Sequence, residues 1–135
     1  MRTVLFLLTS RLALVSLLAA GEGAPSSYEP DLFFQAQILP IFERRCFECH
    51  SHQHDVEAGL ALDSRAGWAA GGENGPTLMR GDLAKSLLIQ AIRHLDDESA
   101  MPPKRKLPAI EIAMLETWVL LGAPDPRTKV DAPKP

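Results

Sequence analysis

Apolar residues cluster along the chain in stretches that read as short helices. From Leu32 onward, Phe33, Ala36, Ile38, Leu39, Ile41 and Phe42 approach helical spacing, with Asp31 as N-cap. Pro40 falls inside this stretch. It lacks an N–H and crowds the preceding turn, so the pattern predicts a kink or two short helices, the second starting near Pro40 and running into Cys46. Residues 51–63 lose the periodicity and read as loop, extended over Gly59 to Asp63. Ser64 caps a short helix through Ala70, and Gly71-Gly72 ends it. Glu73 to Gly81 is rich in turn formers, notably Asn74-Gly75-Pro76. Asp82 then caps an amphipathic helix whose stripe is Leu83, Leu87, Leu88, Ala91, Ile92 and Leu95. Ser99 to Leu107 reads as an irregular loop. Pro108 opens the last helix, with Ile110, Ala113, Met114, Trp118 and Leu121 on its buried face, and Gly122 and Pro124 stop it. Trp68 and Trp118 read as core or pocket walls. Long loops between short helices argue against a compact domain unless something besides side chains fills the core.

The two ends read differently. Met1 to Ala20 carries Arg2 and Arg11, then the apolar stretch Leu12 to Ala20, then small residues, which is the layout of a secretory signal peptide. Arg11 interrupts the apolar run, so no spanning helix of about 20 apolar residues is available. The reading is residues 1–21 as signal peptide, 22–31 as a flexible leader, 32–124 as one domain and 125–135 as a disordered tail. Removing residues 1–21 takes away two arginines and no acid, which leaves 12 basic against 17 acidic residues and a net charge of −5. That balance disfavours nucleic acid and anionic membranes as partners.

The chemistry lies in Cys46-Phe47-Glu48-Cys49-His50 and Met101-Pro102-Pro103. Cys46 and Cys49 are the only cysteines. C-x-x-C-H is the attachment signature of a c-type haem: two thiols add to two vinyl groups, and the next histidine binds iron. A redox disulfide and a metal site built from Cys46, Cys49 and His50 are the competing readings. The second axial ligand must be a soft or imidazole donor. Met79, His94, Met101, Met114, His52 and His54 are the candidates. Met114 sits on a buried helix face. His52 and His54 lie too close to His50 to reach the other haem face. His94 suits a helix C-terminus. Met79 competes from a Gly/Pro-rich loop. Met101 is preferred, because the prolines after it restrict its backbone and stiffen its loop. His/Met ligation raises a haem's potential. The run Lys104-Arg105-Lys106 reads as solvated charge or as a patch that steers an acidic partner.

The chain also resembles the planctomycete-type cytochrome c domain, a class I-like haem module. The residues that carry the resemblance begin with Ile38-Leu39-Pro40-Ile41-Phe42 before the C-x-x-C-H run, then Gly59-Leu60-Ala61-Leu62-Asp63-Ser64-Arg65 and Gly71-Gly72-Glu73-Asn74-Gly75-Pro76. Gly81-Asp82-Leu83-Ala84-Lys85-Ser86-Leu87-Leu88, Ala91-Ile92-Arg93-His94, Met101-Pro102-Pro103, Leu115-Glu116-Thr117-Trp118 and Gly122-Ala123 complete the series. The resemblance implies a small all-α cytochrome c-like fold of three to five short helices, with long loops wrapping one covalent haem c and its iron. It implies Cys46, Cys49 and His50 as haem residues and Met101 as axial ligand. Many such domains head longer chains, so redox partners, including domains on a separate polypeptide, are expected.

These readings converge on an exported, periplasmic or otherwise extracytoplasmic, monohaem carrier of single electrons, with no substrate of its own and no stable membrane insertion after processing. The alternative is a haem ligand sensor or peroxidase-like enzyme with an open distal face.

Overall fold

A computed structural model describes residues 29–127. The expected signal peptide, most of the leader and residues 128–135 lie outside them. The described residues form helices and turns, with isolated bridges and no strand.

The first helical run begins at Pro30, two residues before the expected boundary. It comprises α1 (Pro30–Phe33), a π-helical turn (Phe34–Ile38) and α2 (Leu39–Arg45). Pro30 fits the first turn, where its missing N–H has no intrahelical partner to lose. Asp31 is not the N-cap. Glu29 holds that position without a side-chain capping hydrogen bond, and Asp31 places its charge in the first turn instead. As expected, a second short helix starts beside Pro40, which sits in its first turn, and runs into Cys46. The chain widens into the π turn just before it, with the Leu39 N–H bonded to the Phe34 carbonyl, which eases the clash of a proline ring with the preceding turn. Phe34, Ile38, Ile41 and Phe42 form the buried face.

This face packs on α5 (Ala109–Leu120) around Trp118, which is fully buried. Phe34, Phe42 and Trp68 set their rings 5.9, 5.6 and 5.8 Å from the Trp118 ring, the last two edge-on. Edge-to-face aromatic pairs add about 0.5–1.5 kcal/mol beyond burial. Both indoles are therefore core, and both N–H groups are satisfied: Trp118 donates to the Pro124 carbonyl at 2.7 Å and Trp68 to Asp125 Oδ2 at 2.8 Å.

Trp68 lies on α3 (Arg65–Ala70), whose Ser64 cap accepts the Gly67 N–H at 3.0 Å as expected. Gly71 ends the helix at φ +83°, and a Cβ there would meet the Gly75 carbonyl oxygen at 2.6 Å.

The expected helix from Asp82 to Leu95 shortens to α4 (Leu87–Ile92). Asp82 closes a turn, its carboxylate accepting the Lys85 N–H at 3.1 Å, and buried Ser86 ties that turn to Met79. Leu95 is exposed, because His94 enters the left-handed region at φ +53° and stops the helix.

On α5 the buried residues are Leu115, Trp118 and Val119. Ile110, Ala113 and Leu121, expected inside, are exposed, and Met114 is half-buried. A helix apolar on most sides has no stripe for periodicity to find. Arg93 binds Glu116 at 2.7 Å and so joins α4 to α5. Arg45 makes two bonds to Glu111, at 3.0 and 3.2 Å, and fixes the end of α2 on the start of α5.

The expected tail boundary at Asp125 also moves. Asp125 is buried, and Arg127 bonds to its carboxylate at 2.6 Å, donates to the Leu62 carbonyl at 3.0 Å and lies 4.7 Å over the Phe34 ring. Composition signalled a proline-rich tail, but one buried ion pair straps its first residues to the core.

Candidate haem site

The site starts where α2 ends. Cys46 caps the helix, its N–H bonded to the Phe42 carbonyl at 2.9 Å. The Cys46 carbonyl then accepts the N–H groups of Cys49 at 3.2 Å and His50 at 2.9 Å. This single turn sets the two sulfurs one helical turn apart, as attachment to one planar group requires. Ser51, buried, pins the turn from below through its hydroxyl bond to the Phe47 carbonyl at 2.7 Å.

The His50 ring is oriented by the backbone. Its Nδ1 lies 3.3 Å from the Leu60 carbonyl oxygen, which can only accept. Nδ1 therefore carries the proton, and Nε2 keeps its lone pair for a metal.

Burial pushes the Cys46 thiol up to about 12, the Glu111 carboxylate adding to the rise and Arg45 opposing it. Desolvation, then Glu57 and Glu48, push Cys49 up as well. Redox-active C-x-x-C pairs work through a depressed thiol pKa, so this environment opposes a disulfide oxidoreductase. Among the described residues, no three His, Cys, Asp or Glu side chains converge to hold a metal ion.

A cavity of about 730 Å³ opens over this turn, within the span of about 300–1,000 Å³ usual for ligand and cofactor sites. Cys46, Cys49, His50 and Met101 all line it. Leu88 and Ile92 of α4, with Leu62 and Leu107, give it apolar walls. Lys104 and Arg105 stand exposed at its rim.

The other candidate ligands lie elsewhere. Met79 is 45% exposed and is not among the wall residues. Met114 lines a separate, smaller cleft against Pro40 and Ile41. His52 bonds through Nδ1 to buried Asp63 at 2.8 Å. His54 is exposed on the following turn. His94 turns its Nε2 to the Met101 carbonyl oxygen at 3.2 Å.

Residues 46–105 match the family described as Planctomycete cytochrome C. That match supports a planctomycete-type cytochrome c domain over these residues. Neither the curated proteins nor the solved structures gave a match. A cytochrome c domain is a haem-binding unit, and the residues present fit that group. The cavity has the volume, two thiols and an unprotonated imidazole nitrogen on one turn, and apolar walls. It also has Thr77 Oγ1, the buried side-chain polar atom without a hydrogen-bond partner among the described residues. An orphan hydroxyl on a cofactor cavity's wall suits a ligand with a polar edge.

Sequence reasoning missed the Leu60 carbonyl, the Thr77 hydroxyl and the link from His94 to Met101. None of these has a motif; each depends on how loops distant in sequence meet. Among the described residues no helix is long and apolar enough to cross a membrane.

Proposed function

We propose that the cytochrome c domain is an exported monohaem carrier that passes single electrons and has no substrate of its own. The observation that carries this reading is that Cys46, Cys49 and His50, together with Met101 some fifty residues further along the chain, line one cavity with apolar walls. Haem c would supply the one-electron redox chemistry.

Each residue has a role in this reading. Cys46 and Cys49 would hold the group by thioethers. His50, its ring fixed by Leu60, would offer Nε2 to the iron. Met101 would offer its thioether as a second ligand, which would raise the potential. The apolar walls exclude water. Lys104 and Arg105, basic on a chain of net charge −3, suit an acidic redox partner at the rim, including a domain on another polypeptide. Residues 1–21 support export, and with it an extracytoplasmic site where haem c is attached.

The test is the chain matured with a cytochrome c assembly system. Its mass should correspond to the processed chain plus one haem that resists acid–acetone extraction. The reduced protein should bind carbon monoxide poorly. A haem-free mature protein would overturn the reading. Rapid carbon monoxide binding would replace it with the sensor or peroxidase alternative.

A further inference from the structure

Met101 is held by its backbone as well as by its loop. The end of α4 forms a tight stop in which the Ala91 carbonyl accepts the His94 N–H at 3.0 Å and the Gln90 carbonyl accepts the Leu95 N–H at 3.3 Å. His94 occupies the left-handed position of that stop, at φ +53°. Glycine, or less often asparagine, is the usual residue there, because other side chains are strained in it. A histidine in that position calls for another use, and its ring has one.

The same Ala91 carbonyl also accepts the Met101 N–H at 3.0 Å. The His94 Nε2–H reaches back to the Met101 carbonyl at 3.2 Å. Both backbone polar groups of Met101 are therefore fixed to one helix end. Lys106, on the far side of the two prolines, donates to the Arg93 carbonyl at 2.6 Å. The segment from Met101 to Lys106 is thus anchored at both ends to the last turn of α4, and only the first anchor uses a side chain from the stop itself.

We infer that His94 is a positioning residue: its ring clamps the Met101 carbonyl so that the thioether of Met101 is presented to the haem cavity. The inference rests on Met101 being the axial ligand proposed above. A thioether binds iron weakly, so its occupancy depends on how little the loop must be ordered when the bond forms. The clamp orders the residue beforehand. Replacing histidine by glycine removes the clamp while relieving the left-handed backbone, so the turn itself should persist.

The experiment uses the ferric holoprotein in four forms: wild type, His94→Gly, His94→Gln and Met101→Ala. The readouts are the near-infrared band of a thioether bound to ferric iron and the affinity for added imidazole, which competes with that thioether. His94→Gly should keep haem and fold but bind imidazole about three- to tenfold more tightly, the change expected from one lost net hydrogen bond. Its band should fade at a lower temperature than that of wild type. His94→Gln, which can present an amide N–H near the position of Nε2, should recover most of the wild-type behaviour. If His94→Gly matches wild type in both readouts, or if His94→Gln is as impaired as His94→Gly, the clamp is wrong. If His94→Gly fails to mature, His94→Asn replaces it: asparagine tolerates the left-handed backbone but is too short to reach the carbonyl, and the same two outcomes decide. Met101→Ala separates this from the ligand assignment. Should it leave the band and the imidazole affinity of wild type unchanged, Met101 is not the ligand, whatever the His94 variants do.

Discussion

The tryptophan side of the molecule and the cavity side are built on different terms. Around Trp118 the chain is its own filling: Phe34, Phe42 and Trp68 meet its ring at contact distance, and both indole N–H groups are paired. Around Cys46, His50 and Met101 the chain supplies walls and leaves the interior open. The loops there are held by bonds to backbone carbonyls, those of Leu60, Ala91 and Arg93 among them. The difference teaches that stability and function are divided within one small domain. One half folds on aromatic packing, and the other is shaped for a core that comes from outside the polypeptide.

The sharpest way to break this comparison is to prevent attachment. Cys46→Ala with Cys49→Ala should abolish covalent haem in intact-mass spectra. Hydrogen exchange should then show lost protection over residues 50–62 and 96–107 and retained protection at Phe42, Leu115 and Val119. Equal loss on both sides would mean that the tryptophan cluster does not stand by itself.

Trp118→Ala attacks the other half. It should cost about 3–5 kcal/mol in denaturant unfolding of the holoprotein, because the surrounding rings cannot collapse to fill so large a space. Asp125→Ala should follow at about 3 kcal/mol, since it leaves the Trp68 indole and the Arg127 guanidinium without their buried acceptor. An effect under about 0.5 kcal/mol, the range of ordinary surface substitutions, would return residues 125–127 to the status of a tail.

The most narrowly confined effect is a pH dependence of the haem-free chain. The Cys46 thiol lies at about 12 in the folded state against an ordinary 9.0, so folding favours its protonated form. That contribution is complete below about pH 9 and is lost as pH rises toward 12. Haem-free protein should lose stability over this window in urea titrations, and Cys46→Ala should flatten the slope. The thioether-linked protein has no thiol to titrate and should not show it.

Much of the site was legible because its spacing is local. Cys46, Cys49 and His50 fall on one turn, so their order in sequence is nearly their order in space. Met101 was preferred over Met79 on its two following prolines, and of the two it is Met101 that lines the cavity. The helices were less legible where burial is decided by tertiary neighbours. The Leu83–Leu95 stripe looked continuous, yet Ser86 and Asp82 hydrogen-bond locally and keep its first half in turns. α5 carries apolar residues on nearly every side, so its inward phase was set by the Trp118 cluster and not by its own pattern. Pro40 marked the start of the second helix, but the π turn before it leaves no compositional trace.

The Asp125–Arg127 strap has a consequence for where this unit can be cut. A truncation drawn at Gly122-Ala123, where the apolar pattern stops, would retain every helix of the described residues and still remove the carboxylate that receives the Trp68 indole. It would also uncover the ring of Phe34, at the opposite end of the described chain, by removing Arg127. The first and last described segments thus meet at one buried cation, Arg127. A cut that keeps these contacts falls beyond Arg127, and anything grafted there would pull directly on the residue that covers Phe34.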